Sequence, residues 1–409
     1  MRERALILGN YRPSYILARA LFRRGYDVIC GLDGYDRGTE VSKYVDTVWN
    51  HPSYSASSDE FQLALNEFCA KDTAVKLVFP VAENFVRAFA EGHLTLPSDV
   101  NLGSMANDTI NVCLNKPLLL EKAARLDIPV APFAITEGRD ALLEHADRLK
   151  FPLVVRPSDS TKRLAGKKAI TCGSRVELET QYDEWEDHGL LLQEHVSGTR
   201  DNIYFSACNG EIQNYLHAKI ERTDQPDGSG LALEGITIDP CPILQGYTEK
   251  LIKTIDYTGI GCVQFLVDDV EDKRYLLELN PRLAGNHALP EYAGLALSDE
   301  LIDLALGQLR KKPLTLGDAS IRYTWFAGEI ESLRLRWRTG GLEFRRFIPA
   351  LLKSVSAVLR SDLDISLNRD DWKPGFFSLC DTIPGIGTFT RARFKHGIVQ
   401  KLLIRKKWV

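Results

Sequence analysis

Ala5-Leu6-Ile7-Leu8-Gly9 is an unbroken apolar run of the length expected for a strand buried on both faces. From Ser14 to Arg24 the period changes, and Ile16, Leu17, Ala20 and Leu21 fall on one helical face. Asp27–Asp33 and Lys76–Pro80 are further strand-like runs. Strands alternating with helices predict a parallel α/β sheet over residues 1–110. Farther on, the pattern is that of alternating strands. Asp201 to Arg222 alternates around the turn Asn209-Gly210, and Thr223 to Gly230 carries the Gly, Pro and Asp of a loop. Gly261–Phe265 and Leu276–Leu279 read as adjacent strands joined by the acidic turn Asp268–Asp272. In the last hundred residues Phe344, Phe347, Ile348, Leu351, Leu352, Val355 and Leu359 recur at helical spacing.

The acidic hairpin concentrates the chemistry. Side chains alternate along a strand, so Glu278, Asn280 and Arg282 point the same way. A hairpin of this length brings the Gln264 amide beside the Glu278 carboxylate. Gln264, Glu278 and Asn280 form an oxygen-only set that suits Mg²⁺ (or Mn²⁺) rather than zinc, with substrate phosphates completing the shell. Arg282 adds a fixed positive fork for a phosphoryl or acyl-phosphate group.

This constellation resembles the ATP-grasp superfamily, and the Gln-Glu-Asn triplet is most similar to its carbamoyl-phosphate-synthase-like branch. The resemblance runs over residues 1 to 310 through several separated motifs. Phe151-Pro152-Leu153-Val154-Val155-Arg156-Pro157 matches the strand whose basic residue, here Arg156, touches ATP phosphates. The stretch from Ser158 to Lys168 matches the loop that closes over them, with Lys168 as one of its basic contacts. Leu190 to Gly198 resembles the adenine hinge, which implies Gln193, Glu194 and Val196 as adenine contacts. Asn115-Lys116-Pro117 resembles the entry to the nucleotide domain, where the lysine matching Lys116 binds phosphate. The ribose acid aligns with Asp201 when counted back from Asn209-Gly210, and with Arg200 when counted forward from Gln193; Asp201 is the preferred assignment.

The loop departs from the family pattern. Ser160 to Lys168 holds one glycine and four basic residues, so charge stands where backbone amides usually approach the phosphates. Lys219 either faces the nucleotide or is a solvated edge-strand lysine. His287 either handles a substrate carboxylate or proton beside Arg282, or is a histidine satisfied by backbone at a helix start.

Composition narrows the class. At 409 residues, with 44% hydrophobic positions, the chain is globular and too long for one core, and two or three domains are expected. Eight cysteines without metal spacing indicate a reduced, cytoplasmic compartment. Tyr11-Arg12-Pro13 interrupts the first apolar run before a leader could form, and no apolar stretch reaches membrane-spanning length. Charge is divided unevenly: from Lys311 onward 19 Lys+Arg face 9 Asp+Glu, which leaves −14 on the first 310 residues. Residues 311–409 are therefore expected to form a smaller basic domain. Its stripe, and the basic and apolar stretch Phe394–Val409, suit either an anionic membrane surface or acidic partner, or a domain core with a solvated face. No nucleic-acid partner is expected.

The resemblance implies an α/β architecture, with an α+β nucleotide domain following a parallel α/β domain, and an ATP- and Mg²⁺-dependent carboxylate–amine ligase. The reaction would pass through an acyl phosphate, with Arg282 and His287 on the substrate side. Dimers are common in the family. A kinase-like or bicarbonate-dependent carboxylase reaction is the enzymatic alternative, and a non-catalytic nucleotide-binding regulator is the other.

Overall fold

The computed structural model describes residues 2–382 apart from 34–37, 160–161, 183–184, 186–188, 226–227, 229 and 339–343. The terminal stretch Phe394–Val409 and the loop residues Ser160 and Thr161 lie outside the described residues.

The first unit is a five-stranded parallel sheet in the order Thr47–Asn50, Asp27–Leu32, Arg4–Leu8, Val75–Pro80, Asn101–Leu102. Ala5 to Leu8 are fully buried, as an apolar strand covered by helices on both faces must be. The helix Arg12–Arg23 starts two residues earlier than its periodicity predicts, with Pro13 in its first turn and Leu17, Ala20 and Leu21 buried. The chain order reverses between strands Arg4–Leu8 and Val75–Pro80. Ligands characteristically bind at the carboxyl ends of strands flanking such a reversal. Two short segments meet there, Gly9 to Arg12 after the first strand and Val81 to Glu83 after the other. Their backbones approach closely: a Cβ on Gly9, whose φ is +101°, would stand 2.6 Å from the Ala82 Cβ.

Two helices, Asn107–Leu114 and Lys116–Arg125, lead into the second unit. Asn115 caps the latter, its Oδ1 accepting from the Leu118 N–H at 3.0 Å, which holds Lys116 at the helix start. A four-stranded antiparallel sheet follows in the order Phe133–Thr136, Leu190–Glu194, Leu153–Pro157, Ile170–Cys172. One face packs on Leu142, Ala146 and Leu178. Leu164 of the basic loop is also buried there, anchoring a tight turn closed by Leu164 and Lys167.

The large sheet contains eight strands among the described residues. Its path runs Lys273–Asn280, Gly259–Asp268, Thr199–Cys208, Glu211–Thr223, Ala232–Ile238, Arg322–Thr324, Leu363–Asp364, with Thr315–Leu316 beside Glu211–Thr223. Asn209 and Gly210, both at positive φ, turn the long central hairpin. Three of these strands come from beyond residue 311, so the basic region continues the sheet. The helix Phe344–Arg360 buries Ser354 and Ala357 and leaves Ile348, Leu352, Val355 and Leu359 exposed, Leu359 at 81%. Four members of the expected stripe therefore face outward, while Phe347 and Leu351 are partly buried. All eight cysteines are unpaired. No helix among the described residues is long and apolar enough to cross a membrane.

Candidate active site

The predicted hairpin forms, and its register pairs Gln264 with Glu278 and Cys262 with Asn280. Asn280 Nδ2 donates to Glu278 Oε1 at 2.8 Å. Arg282 lies just past the strand, its Nη2 3.5 Å from Asn280 Oδ1 and 3.1 Å from a Glu83 carboxylate oxygen. Glu278, Asn280 and Arg282 are thus one hydrogen-bonded group beside Gln264, and Glu83 ties it to the switch point of the parallel sheet.

Cations gather around Glu278. Lys116 from its helix start, Arg156 from the small sheet, and Arg200 and Arg282 from the large sheet all act on it electrostatically. Burial alone would raise the Glu278 carboxyl, but Lys116, the Asn280 amide, Arg282 and Arg200 hold it below the usual glutamate value. Burial, reinforced by Arg156, pushes the Lys116 ammonium down to about 7 against the pull of Glu278. Burial also lowers Arg156. For Arg282 burial works the same way, but Tyr11, Glu83 and Glu278 outweigh it and raise its pKa.

The polar atoms here are short of partners. Arg156 Nε, Arg200 Nε, Arg282 Nε and Asn202 Oδ1 are buried and unbonded. Orphaned guanidinium donors around Glu278, with Glu83 engaged only on the Arg282 side, fit a bound polyanion. One carboxylate with two amide side chains is a hard oxygen set, so the site accepts Mg²⁺ once phosphate oxygens complete the shell. A cavity of about 640 Å³ lined by Cys208, Asn209, Thr258, Leu304, Arg310 and Lys311 shares no residue with this cluster.

Lys116, Arg156, Gln264, Glu278, Asn280 and Arg282 are brought together. Gln193 shares the Arg156 face of the small sheet, by the pairing of Val154 with Gln193 and Arg156 with Leu191. Glu194 points to the other side, where Oε1 accepts from the Lys150 N–H at 2.9 Å. Val196 follows in the partly buried hinge, and Lys168 is exposed at the end of the basic loop.

Three expectations are corrected. Asp201 pairs in register with Phe265 and Lys219, on the sheet face away from Gln264. It is buried, and His217 Nε2 lies 2.7 Å from its carboxylate, while His217 Nδ1 accepts from the Cys241 N–H at 3.3 Å. Lys219 shares that wrong face and reaches Asp269 at 3.3 Å. The cause is strand period two, which carries Arg200, Asn202 and Tyr204 onto the Gln264 face and Asp201 off it. His287 precedes a short helix without capping it; its buried Nε2 lies 2.9 Å from Ser298 Oγ and 3.3 Å from Glu291 Oε1 instead of meeting the cluster. Its neighbour Asn286 faces inward instead and donates to Tyr204 Oη at 2.5 Å and Tyr323 Oη at 3.2 Å.

Sequence reasoning missed Tyr11, Arg12, Glu83, Tyr204, Asn286 and Tyr323. The even-numbered alternation from Arg200 would have found Tyr204, and the strand ends at the switch point would have found Tyr11, Arg12 and Glu83. Tyr323 and Asn286 had no local signal.

Residues 236–312 match the family described as the carbamoyl-phosphate synthase L chain, ATP binding domain. The chain is 24% identical over 221 residues to the carbamoyl phosphate synthase large chain of Methanothermobacter thermautotrophicus, covering 51% of this chain and 19% of that protein. Among solved structures it resembles a biotin carboxylase–β,γ-ATP complex from Campylobacter jejuni, with TM-score 0.60 and 18% identity over 76% of this chain and 72% of that one. It also resembles an L-amino acid ligase from Bacillus licheniformis, with TM-score 0.57 and 15% identity over 76% and 78% of the two chains.

Proposed function

From the ATP-grasp fold that this chain carries, in its carbamoyl-phosphate-synthase-like form, we propose an ATP- and Mg²⁺-dependent carboxylate–amine ligase. The observation that carries the reading is the Glu278 carboxylate, set beside Gln264 and Asn280 and ringed by Lys116, Arg156, Arg200 and Arg282, the three arginines with unbonded Nε atoms. That arrangement suits a nucleotide's phosphates and a charge that moves among oxygens.

Mg²⁺ held by Glu278, Asn280 and Gln264 would supply Lewis-acid neutralisation of the phosphate oxygens. Lys116 and Arg156 steady the phosphates from the small-sheet side. The hinge Gln193 to Val196 borders the adenine end. Arg200, on the face where Asp201 is not, is the sheet's contribution beyond the hinge. A substrate carboxylate attacks the γ-phosphorus, the bond to ADP breaks, and Arg282 stabilises the acyl phosphate. An amine then attacks the acyl carbon, phosphate leaves, and an amide remains. The contacts of Arg282 with Asn280 and Glu83 support a reading in which this second half takes place at the switch point of the parallel sheet. The acyl-transfer outcome is supported by the likeness to an amino acid ligase; the likeness to a biotin carboxylase keeps bicarbonate as the competing acceptor. The outward stripe on helix Phe344–Arg360 supports a peripheral contact with an anionic surface or acidic partner, and homodimerisation belongs to the same proposal.

The test is ADP and phosphate release from Mg-ATP against pooled small carboxylates, amines, amino acids and bicarbonate. Release that requires both an acid and an amine is expected. Release with bicarbonate alone would replace the reading with a carboxylase, and release with an acid alone would replace it with a kinase-like enzyme.

Lys116 gives a pH-dependent prediction. Its folded pKa of about 7 lies below the ordinary 10.5, so the unfolded chain holds this proton over that window and stability rises with pH between them. The burial penalty is complete below pH 7. Phosphates arriving beside Lys116 raise its pKa again. ATP binding at pH 8 is therefore expected to take up a proton, and binding at pH 6 is not. Calorimetry in buffers of different ionisation heat measures this; Lys116→Met should abolish the uptake, and uptake unchanged in that variant would remove Lys116 from the phosphate site.

A further inference from the structure

One cation near the site has no role in the reaction above. Arg12 is the first residue of helix Arg12–Arg23, at the switch point beside Tyr11. It is partly buried, and its guanidinium carbon lies 3.6 Å from the centre of the Trp325 ring. No carboxylate of the described residues forms an ion pair with it: burial lowers its pKa, and the groups that act against this are Tyr15, Tyr11, Tyr323 and, least, Glu331. A buried charge without a counter-ion is costly unless a ligand provides one.

The surroundings are shaped for a ligand. Gly285 leaves room for the guanidinium, since a Cβ there would stand 3.0 Å from Arg12 Nη2. The Trp325 indole N–H is buried with no acceptor. Asn286 bridges the Tyr204 and Tyr323 hydroxyls, and Asn202 donates to Tyr204 Oη at 3.1 Å. Burial keeps both phenols protonated, so each accepts from an amide and retains its own proton. Tyr11 joins this patch to Arg282: its hydroxyl donates to the Val81 carbonyl at 2.6 Å and also meets the Arg282 guanidinium.

We propose that Arg12, flat on Trp325, anchors a carboxylate that the substrate carries away from its reacting atoms. A planar guanidinium held on an aromatic face offers its fork to a carboxylate in one orientation. The inference rests on the ligase reading and narrows it: one of the two substrates is an acid beyond the group that reacts. Three distant segments build this anchor, from the parallel domain, the loop after Arg282 and the region beyond residue 311. The basic region thereby contributes to specificity.

The experiment uses full-length wild type, Arg12→Gln and Arg12→Lys, each loaded with Mg-ADP. Calorimetry follows succinate, glutarate, aspartate and glutamate against succinamate, glutaramate, asparagine and glutamine. ADP release is followed with the same probes and Mg-ATP. Succinate and glutarate serve only as the acid, whereas aspartate and glutamate also serve as the amine, so the pattern tells which substrate the anchor holds. One acid is expected to bind at least about a hundredfold more tightly than its amide counterpart. Arg12→Gln should erase that preference, Arg12→Lys should restore part of it, and ADP affinity should not change. No binding by any acid, or a preference that survives Arg12→Gln, overturns the anchor. Arg12-dependent binding without ADP release supports the anchor and removes the ligase; ADP release with an unchanged preference does the reverse.

Discussion

Glu278→Gln is expected to lower ATP turnover by about a thousandfold or more while leaving the protein folded. Glutamine keeps the shape of the side chain and its place opposite Gln264, so packing is preserved. What it removes is the single formal negative charge of the Gln264–Glu278–Asn280 set. Four cations then face one another without it, and the Lys116 ammonium, already pushed down to about 7, loses the group that supports its charge. The binding pattern should therefore invert. ATP without metal binds at least as well as in wild type, because the polyphosphate replaces the missing negative charge, while the dependence of binding on Mg²⁺ disappears. ADP release, calorimetry with and without Mg²⁺, and thermal unfolding measure the three parts. Turnover within about tenfold of wild type would end the assignment of Glu278. The pH behaviour follows from the same carboxylate. Its folded pKa is below the ordinary 4.5, so its contribution to stability is present above the unfolded value and is lost only as pH falls through the folded one. Loss of activity between pH 5 and 7 would thus come from another group.

Arg282→Lys should reduce kcat by about a hundredfold to a thousandfold with ATP affinity within about threefold. Arg282 is held from two sides, by Glu83 at 3.1 Å and by Asn280 Oδ1 at 3.5 Å, with a further contact to the Leu283 carbonyl at 3.3 Å. These bonds set the plane of the guanidinium. A lysine keeps the charge and loses the fork, so binding of a ground-state polyanion changes little. Stabilisation of the acyl phosphate requires that fork in place, and only the chemical step should suffer. Single-turnover measurement of ADP formation alongside the equilibrium ATP affinity separates the two. An equal loss in both would make Arg282 an ordinary phosphate contact.

Much of this site could be read from the chain before any coordinates. Gln264, Glu278 and Asn280 lie within one hairpin, and a turn plus period-two alternation is enough to bring them together. Lys116 and Arg156 were legible only through the family resemblance, on the motifs Asn115-Lys116-Pro117 and Phe151–Pro157. The parallel sheet of the first domain followed from strands alternating with helices, and the unbroken apolar run Ala5–Leu8 agrees with a doubly covered strand. The assignment of Asp201 failed by one residue, and on a strand one residue decides which face of the sheet a side chain occupies. His287 failed for a related reason: the helix start turned it towards Ser298 and Glu291 and turned Asn286 to the site.

The identity of the charged cluster's core thus belongs to local sequence, where hydrogen-bonding period and turn length act over a few residues. The neighbours that give the cluster a substrate side do not. Arg12, Glu83, Asn286 and Trp325 are separated by tens to hundreds of positions, and no periodicity in the chain links them. They meet because the parallel sheet reverses its strand order at Arg4–Leu8 and Val75–Pro80, and because the large sheet continues past residue 311 to place Tyr323 and Trp325 beside that reversal. Local pattern chose the elements; the shared core that joins the parallel unit to the large sheet chose which charges stand together.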